Sequence, residues 1–275
     1  MNEKIIFAND NFIKKSKASI PFDDGSFQKG NSIFESIRFY KNNVVQIDNH
    51  LKRLFEGLTY FKFQIRYSRK ELKQIINQLI IKNNLKSGIV NLIISDAFDV
   101  SNPLASKTRI YISLREVRKL KKEPVKIIFL DESDYPVIRF KNSIKINNYA
   151  GNIRAMRHAA SQKCFDAVFF NDKKILTEST MRNIFFIKQK KIITPPLSLG
   201  ILNGTTRQTI KEIAQFHGYE YKERFIKLDE IIEMDEAFLT SCAHGVVACF
   251  WKGWNNSNVI TPKIKNFLNK ALLGD

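Results

Sequence analysis

The sequence predicts an α/β (α+β) protein of two domains, on three observations. Runs of strand-like alternation and segments of helical apolar spacing follow one another through the first half. A polar stretch from Arg115 to Pro124 then breaks the pattern, with charge, no apolar period and a closing proline. Beyond it, apolar strands form a meander between helical segments. The expected division is a smaller domain over 1–115, a linker over 116–124 and a larger domain over 125–275.

Taken in order, FESIRFY and VVQI flank Asn42-Asn43 and read as a hairpin. A helix is expected from about Asp48 to Tyr60, with Asp48 as its N-cap and Leu51, Leu54, Phe55 and Leu58 on one face. Ser68 and Glu71 form a capping-box pattern before LKQIINQLII, whose Leu72, Ile75, Ile76, Leu79 and Ile80 have helical spacing. GIVNLIIS, RIYISL and VKIIFL read as strands. Tyr149 to about Lys163 reads as a helix with Ile153, Met156, Ala159 and Ala160 inward. DAVFFN, KKILTES and NIFFIKQKKIITPP make the meander, turning at Asp172-Lys173 and Gln189-Lys190. Thr206 to His217 is a helix stopped by Gly218, and AFLTS and GVVACF are short strands around a small-residue turn.

Composition bounds the function. With 44% hydrophobic and 26% charged residues the chain has the balance of a soluble globular protein. No apolar run approaches the roughly 18–20 residues of a membrane span, and the start lacks a secretory leader. A cytoplasmic enzyme without a membrane role is expected. Cys164, Cys242 and Cys249 are three, with no ligand spacing, and the four histidines are scattered, so neither a metal site nor a disulfide framework is expected. The net charge of +18 is spread along the chain. It reads as a lysine-rich solvated surface, and nucleic acid is not the expected partner.

Four places carry candidate chemistry. Lys145 lies between Ile144 and Ile146 at the end of an extended segment, where desolvation would free its lone pair for attack on a carbonyl. Alone it is an ordinary lysine in a basic chain. Glu178 stands at a strand end, with Asn183 five residues on to brace a loop. Arg53 sits on a helix, and Gly204-Thr205-Thr206 opens another, offering close backbone approach, hydroxyls and unpaired N–H groups to an anion. An amine nucleophile, a carboxylate for a pyridine nitrogen and two phosphate-binding elements are what pyridoxal phosphate requires.

Together these strings resemble the fold-type IV, or class IV, pyridoxal-phosphate aminotransferases, the group of branched-chain and D-amino-acid aminotransferases and aminodeoxychorismate lyases. The resemblance runs from about Pro21 to Val247. PFDDGSFQKGNSIFESIRFY is similar to the family's opening segment, which ends F-E-x-I-R. NHLKRL resembles H-L-x-R-L, which implies that Arg53 grips the cofactor phosphate. SIKINNYAGN resembles the lysine motif, making Lys145 the Schiff-base lysine and proton shuttle. ILTESTMRNIFFI resembles E-x-x-x-x-N-[IVL]-F, making Glu178 the partner of the pyridine nitrogen. ILNGTTR resembles L-x-G-I-T-R, which implies Leu202 against the ring and Thr205 and Thr206 on the phosphate. DEAFLTSCAHGVV resembles the last motif, a turn meeting phosphate and substrate carboxylate through Cys242, Ala243 and His244.

The resemblance implies transamination between an amino acid and a 2-oxo acid, in a homodimer whose active site lies in the cleft between domains. The match departs at the substrate positions. Asn91 stands where many relatives have an arginine, and an amide is no bidentate cationic clamp. Ser95-Asp96 replace T-R-G, and Cys242 is a poorer phosphate donor than threonine. Phe34 stands where some relatives have tyrosine, and Arg182 replaces a serine, either solvated or turned inward to a substrate carboxylate. His244 faces substrate or packs. The spacing Lys145-x-x-Asn148 matches the D-amino-acid and lyase branches. The competing expectations are an aminodeoxychorismate lyase giving 4-aminobenzoate and pyruvate, and a degenerate member that binds cofactor without turnover.

Overall fold

A computed structural model of the chain describes residues 3–274 apart from 42, 98–100, 103–104, 106, 119, 121–122, 141–142 and 255–257. Asn42 of the expected hairpin turn and part of the expected linker lie outside the described residues. The chain divides into two compact units, Met1–Arg118 with Ile144–Asn148, and Lys119–Ser143 with Tyr149–Asp275. The sequence expectation kept 125–275 together with the lysine. The segment Ile144–Asn148 belongs to the first unit instead, because it pairs there: Phe34 N donates to Lys145 O at 2.9 Å and Asn147 N to Ser32 O at 3.1 Å.

In the first unit, strands β1 (Ile5–Ala8), β2 (Asn11–Lys14), β3 (Ser32–Tyr40), β4 (Asn43–Val44), β5 (Ser87–Ala97) and β6 (Lys107–Arg115) form an antiparallel sheet in the order β2-β1-β6-β5-β3-β4. Alternation sets its two faces. Ile33, Ile37 and Phe39 of β3 are buried on the face that carries the helices, and Phe34, Ser36 and Arg38 point the other way, half-buried. Short helix α1 (Gly25–Lys29) packs on β5, while α2 (Ile47–Phe61) packs on β3 and α3 (Arg69–Asn83) on β1 and β6. Leu51, Leu54, Leu72, Ile76 and Leu79 fill the space between, all at most 2% exposed.

The boundaries of α2 differ from expectation. Asp48 is not its N-cap; the cap lies two residues earlier, at Gln46 in the left-handed region, and the expected VVQI strand shrinks to β4. Asp48 instead sits in the first turn and pairs with Lys73. The capping box of α3 forms as expected, with Ser68 Oγ accepting from Glu71 N and Glu71 returning the bond to Ser68 N. The N-terminal hairpin β1–β2 turns through Asn9 and Asp10, both with positive φ.

The second unit holds β7 (Val125–Asp131), β8 (Asp166–Phe170), β9 (Leu176–Ser179), β10 (Asn183–Lys188), β11 (Lys191–Thr194), β12 (Tyr221–Glu223), β13 (Glu236–Ser241) and β14 (Gly245–Phe250), ordered β12-β11-β10-β13-β14-β7-β8-β9. Helices α5 (Thr205–Phe216) and α6 (Thr261–Leu273) pack on each other and on β13, over a cluster centred on the stacked rings of Phe185 and Phe238.

Helix α4 (Ala150–Ser161) buries a different stripe from the one expected. Gly151, Ala155 and Ala159 face inward at i, i+4 spacing, while Ile153 and Met156 are 43% and 37% exposed. Close packing is the reason: a Cβ on Gly151 would lie 2.1 Å from the carbonyl of Pro136. Small residues let the helix approach, and rotation towards Ile153 would forbid it.

Helix α6 has no counterpart in the sequence expectation, and a buried acid starts it. Glu236 is 4% exposed and accepts from the backbone N–H groups of Val259, Ile260 and Thr261 at 2.7–2.9 Å. A distant carboxylate thus does the work of a local cap.

Candidate active site

In the first unit, Arg53 and Lys145 are placed by β3. Position 35 falls in the apolar phase of that strand, yet it is Glu35, fully buried. Its Oε1 accepts from Arg53 Nε and its Oε2 from Arg53 NH2, each at 2.7 Å, and His50 Nδ1 lies 2.7 Å from Oε2. Burial pushes the Glu35 carboxyl up, but Arg53 and His50 outweigh it and hold it at about 2. Burial in turn lowers His50 below its ordinary value, against the pull of Glu35. One ionised carboxylate therefore fixes the first-turn side of α2, and the arginine of the NHLKRL string cannot swing freely.

On the opposite face of β3, the Nζ of Lys145 lies 4.2 Å from the centre of the Phe34 ring. Ile144 and Ile146 on either side are buried, and Lys145 itself is half-buried. Asn91 of β5 pairs with Ser36 of β3 and Ser113 of β6, which puts it on the face that carries Phe34. Gly30 closes α1 at φ +66°, and a Cβ there would meet the Asn148 amide at 2.6 Å, so this glycine seats the asparagine three residues past the lysine.

In the second unit, Glu178 of β9 is held from three sides. Arg139 NH1 donates to its Oε1 at 2.8 Å, and Leu202 N and Asn183 Nδ2 donate to Oε2 at 3.1 and 3.3 Å. Asn183 also donates to Leu202 O at 2.8 Å. Both of these Leu202 bonds are made by its backbone. Two residues on, Gly204 is the N-cap of α5 and brings no side-chain cap bond to that helix start, where Thr205 and Thr206 are the first two residues. A Cβ on Gly204 would lie 2.5 Å from Asn183 Oδ1, so only glycine lets the asparagine and the helix start meet. Arg207 next to them is buried, bonding Thr194 Oγ1 and the carbonyl of Pro195 and pairing with Glu223.

The remaining expected residues fall elsewhere in this unit. Arg182 turns inward, to protein: NH1 donates to the fully buried Asp166 at 2.6 Å and the guanidinium lies over Phe165 at 4.5 Å. Ser179, Thr180 and the Ala167 amide complete the shell of Asp166. Cys242, Ala243 and His244 form the half-buried turn between β13 and β14, where His244 N donates to Ser241 Oγ and its ring meets Phe165 edge-on.

Sequence reasoning missed Glu35, Arg139 and Asp166. A carboxylate in the apolar phase of a strand was a readable signal at position 35. Arg139 gave none, since it lies in an irregular segment.

Comparisons with known proteins identify the family. The class IV amino-transferase model matches residues 32–249. The chain is 25% identical to a D-alanine aminotransferase of Bacillus licheniformis over 250 residues, 89% of this chain and 86% of that one. It is 26% identical over 269 residues to a putative branched-chain-amino-acid aminotransferase of Methanocaldococcus jannaschii, covering 94% and 93%. In fold it is similar to the branched-chain aminotransferase of Thermoproteus uzoniensis, with a TM-score of 0.89, 24% identity and coverage of 99% and 96%. The chain belongs to the class IV aminotransferase family, enzymes that use pyridoxal phosphate.

Proposed function

We propose that this aminotransferase passes an amino group from an amino acid to a 2-oxo acid, with Lys145 as the lysine that holds the cofactor and carries the proton, and Glu178 as the partner of the cofactor's ring nitrogen. The observation that carries the reading is the loop from Leu202 to Thr206. One end of it is bonded to Glu178, and the other opens α5 without a side-chain cap. The donor set fits pyridoxal phosphate: a fixed carboxylate suits a protonated ring nitrogen, and a helix start with Thr205 and Thr206 suits a phosphate. Arg53, oriented by Glu35, is a second phosphate ligand, and Cys242 and Ala243 supply the further turn.

Bound there, the cofactor supplies an electron sink for the substrate's α-carbon. Lys145 would hold the cofactor and, when its amine is free, would carry the proton removed from that carbon. Phe34 would hold the lysine's amino group on one side and meet it by a cation–π contact once it has taken up the proton. Glu178, fixed in place by Arg139, would hold the proton on the ring nitrogen. Asn183 keeps Glu178 and Leu202 in register.

D-Alanine is the donor we favour, because curated relatives with that activity match at 25–27% identity. The spacing Lys145-x-x-Asn148 agrees with this branch. Asn91, Phe34, Ala243 and His244 would line the substrate. Three free cysteines suit a reducing cytoplasm, and exposed Ile20, Phe22 and Phe27 suit contact with a second copy.

The test is the purified protein with pyridoxal phosphate, borohydride and peptide mapping, beside Lys145→Ala. Cofactor fixed to Lys145, and pyruvate formed from D-alanine and 2-oxoglutarate, are expected. Turnover of L-leucine alone would move the donor to the branched-chain class. Pyruvate released from aminodeoxychorismate without an acceptor would make it the lyase. Label on another lysine would overturn the role of Lys145.

A further inference from the structure

Arg139 raises an electrostatic problem that the structure also answers. A carboxylate that accepts from a guanidinium is half of a neutral pair, and a neutral pair does little to keep a proton on a neighbouring ring nitrogen. Arg139 is bonded on its other edge to a second acid. Nε and NH2 donate to Glu132 Oε2 at 3.1 and 2.8 Å, and NH2 also donates to Thr177 Oγ1 at 2.8 Å. The Thr177 hydroxyl lies 3.2 Å from the same Glu132 oxygen. The guanidinium is thus held at both edges, with its side chain only 13% exposed. Gly200, at φ +72°, backs against it, where a Cβ would lie 3.0 Å from that of Arg139.

We propose that Arg139 and Glu132 are positioning residues for this reaction: Arg139 fixes the Glu178 carboxylate, and Glu132 cancels the charge that Arg139 brings. The formal charges are one positive and two negative, a net of −1, so the cluster still presents a negative charge to the ring nitrogen. Burial works against the Arg139 cation, but Glu178 and Glu132 together raise it above its ordinary value, so it stays charged. This inference rests on the assignment of Glu178 to the ring nitrogen.

The two residues then act with opposite sign. Glu132→Gln leaves a neutral cluster, and the ring nitrogen gives up its proton more readily. Arg139→Met leaves two negative charges, and the nitrogen keeps its proton to higher pH although Glu178 has lost its anchor. A purely structural role would move both variants the same way.

The experiment uses holoenzyme loaded with pyridoxal phosphate carrying 15N in the ring, its 15N resonance followed against pH, with melting curves as the check on folding. Glu178→Gln supplies the reference. The expected result is a pyridinium signal in the wild type and a neutral pyridine signal in Glu178→Gln. Glu132→Gln should titrate at lower pH than wild type and Arg139→Met at higher pH. If Glu178→Gln leaves the resonance unmoved, the assignment of Glu178 fails and the inference with it. If Glu178→Gln moves it but Glu132→Gln titrates as wild type, the assignment stands and the charge-balance proposal is overturned. Should Glu132→Gln not fold, Arg139→Met decides alone: an unchanged or lower titration overturns the proposal.

Discussion

Glu35 grips Arg53 with both carboxylate oxygens, Oε1 on Nε and Oε2 on NH2, at 2.7 Å each. The pair is buried, so the arginine on α2 is aimed by a residue that the strand presents from below. Removing one partner of such a pair leaves the other charge uncompensated.

Glu35→Ala should therefore cost about 3–5 kcal/mol of stability and weaken pyridoxal phosphate binding. Arg53→Ala should show the same loss of affinity while leaving Glu35 stranded. Chemical denaturation and cofactor titration check both. Unchanged affinity in Glu35→Ala would separate Arg53's orientation from phosphate binding.

The same site sets an acid limb. The folded Glu35 pKa of about 2 lies below the ordinary 4.5, so its stabilisation is full above pH ~4.5 and lost as pH falls towards 2. That is on the order of 3 kcal/mol. His50 acts in the same direction, because its folded value is lowered from 6.5 and protonation opposes the fold as pH falls. Melting temperature against pH should fall below pH 6.5 and again below 4.5. Glu35→Gln should flatten the lower step.

Gly204→Ala should mimic Asn183→Ala. The added methyl would occupy the space of Asn183 Oδ1, and either change removes the bridge that Asn183 makes between Glu178 and the Leu202 carbonyl, leaving their direct bond alone to hold them. Losing such a bond costs about 1–3 kcal/mol, so cofactor affinity should drop about tenfold or more in each. A double variant no worse than the singles would show that they act through one contact.

Arg182→Met tests whether that arginine serves substrate or fold. Its bond to buried Asp166 predicts a loss of about 3 kcal/mol in stability with the amino donor's KM unchanged. A raised KM at unchanged stability would restore the substrate role.

Glu236→Ala should loosen α6. Three N–H groups lose their acceptor, for about 2 kcal/mol and a fall of about 5 °C in Tm, with turnover of folded enzyme preserved. Differential scanning calorimetry reads this directly.

Elements with a local cause were legible in the sequence. The Ser68–Glu71 box, the Gly218 stop and the alternating strands β3, β5 and β6 needed only neighbours within a few residues. What failed depended on partners distant in sequence. The stripe of α4 is chosen by Pro136, the start of α6 by Glu236, and the fixing of Glu178 by Arg139. Lys145 and Glu178, the residues we propose for the site, stood out through ordered motifs. The partner of Arg182 was not legible, because an inward arginine reads alike whether it meets a substrate or Asp166.

The segment Ile144–Asn148 has a consequence for synthesis. The sheet of the first unit receives its last piece from beyond β7, so a nascent chain that has emerged only to Arg118 still lacks the pairing of Lys145 O and Asn147 N with β3. The amine we propose as the reactive one and the completed N-terminal sheet are therefore brought together only when Asn148 has emerged from the ribosome.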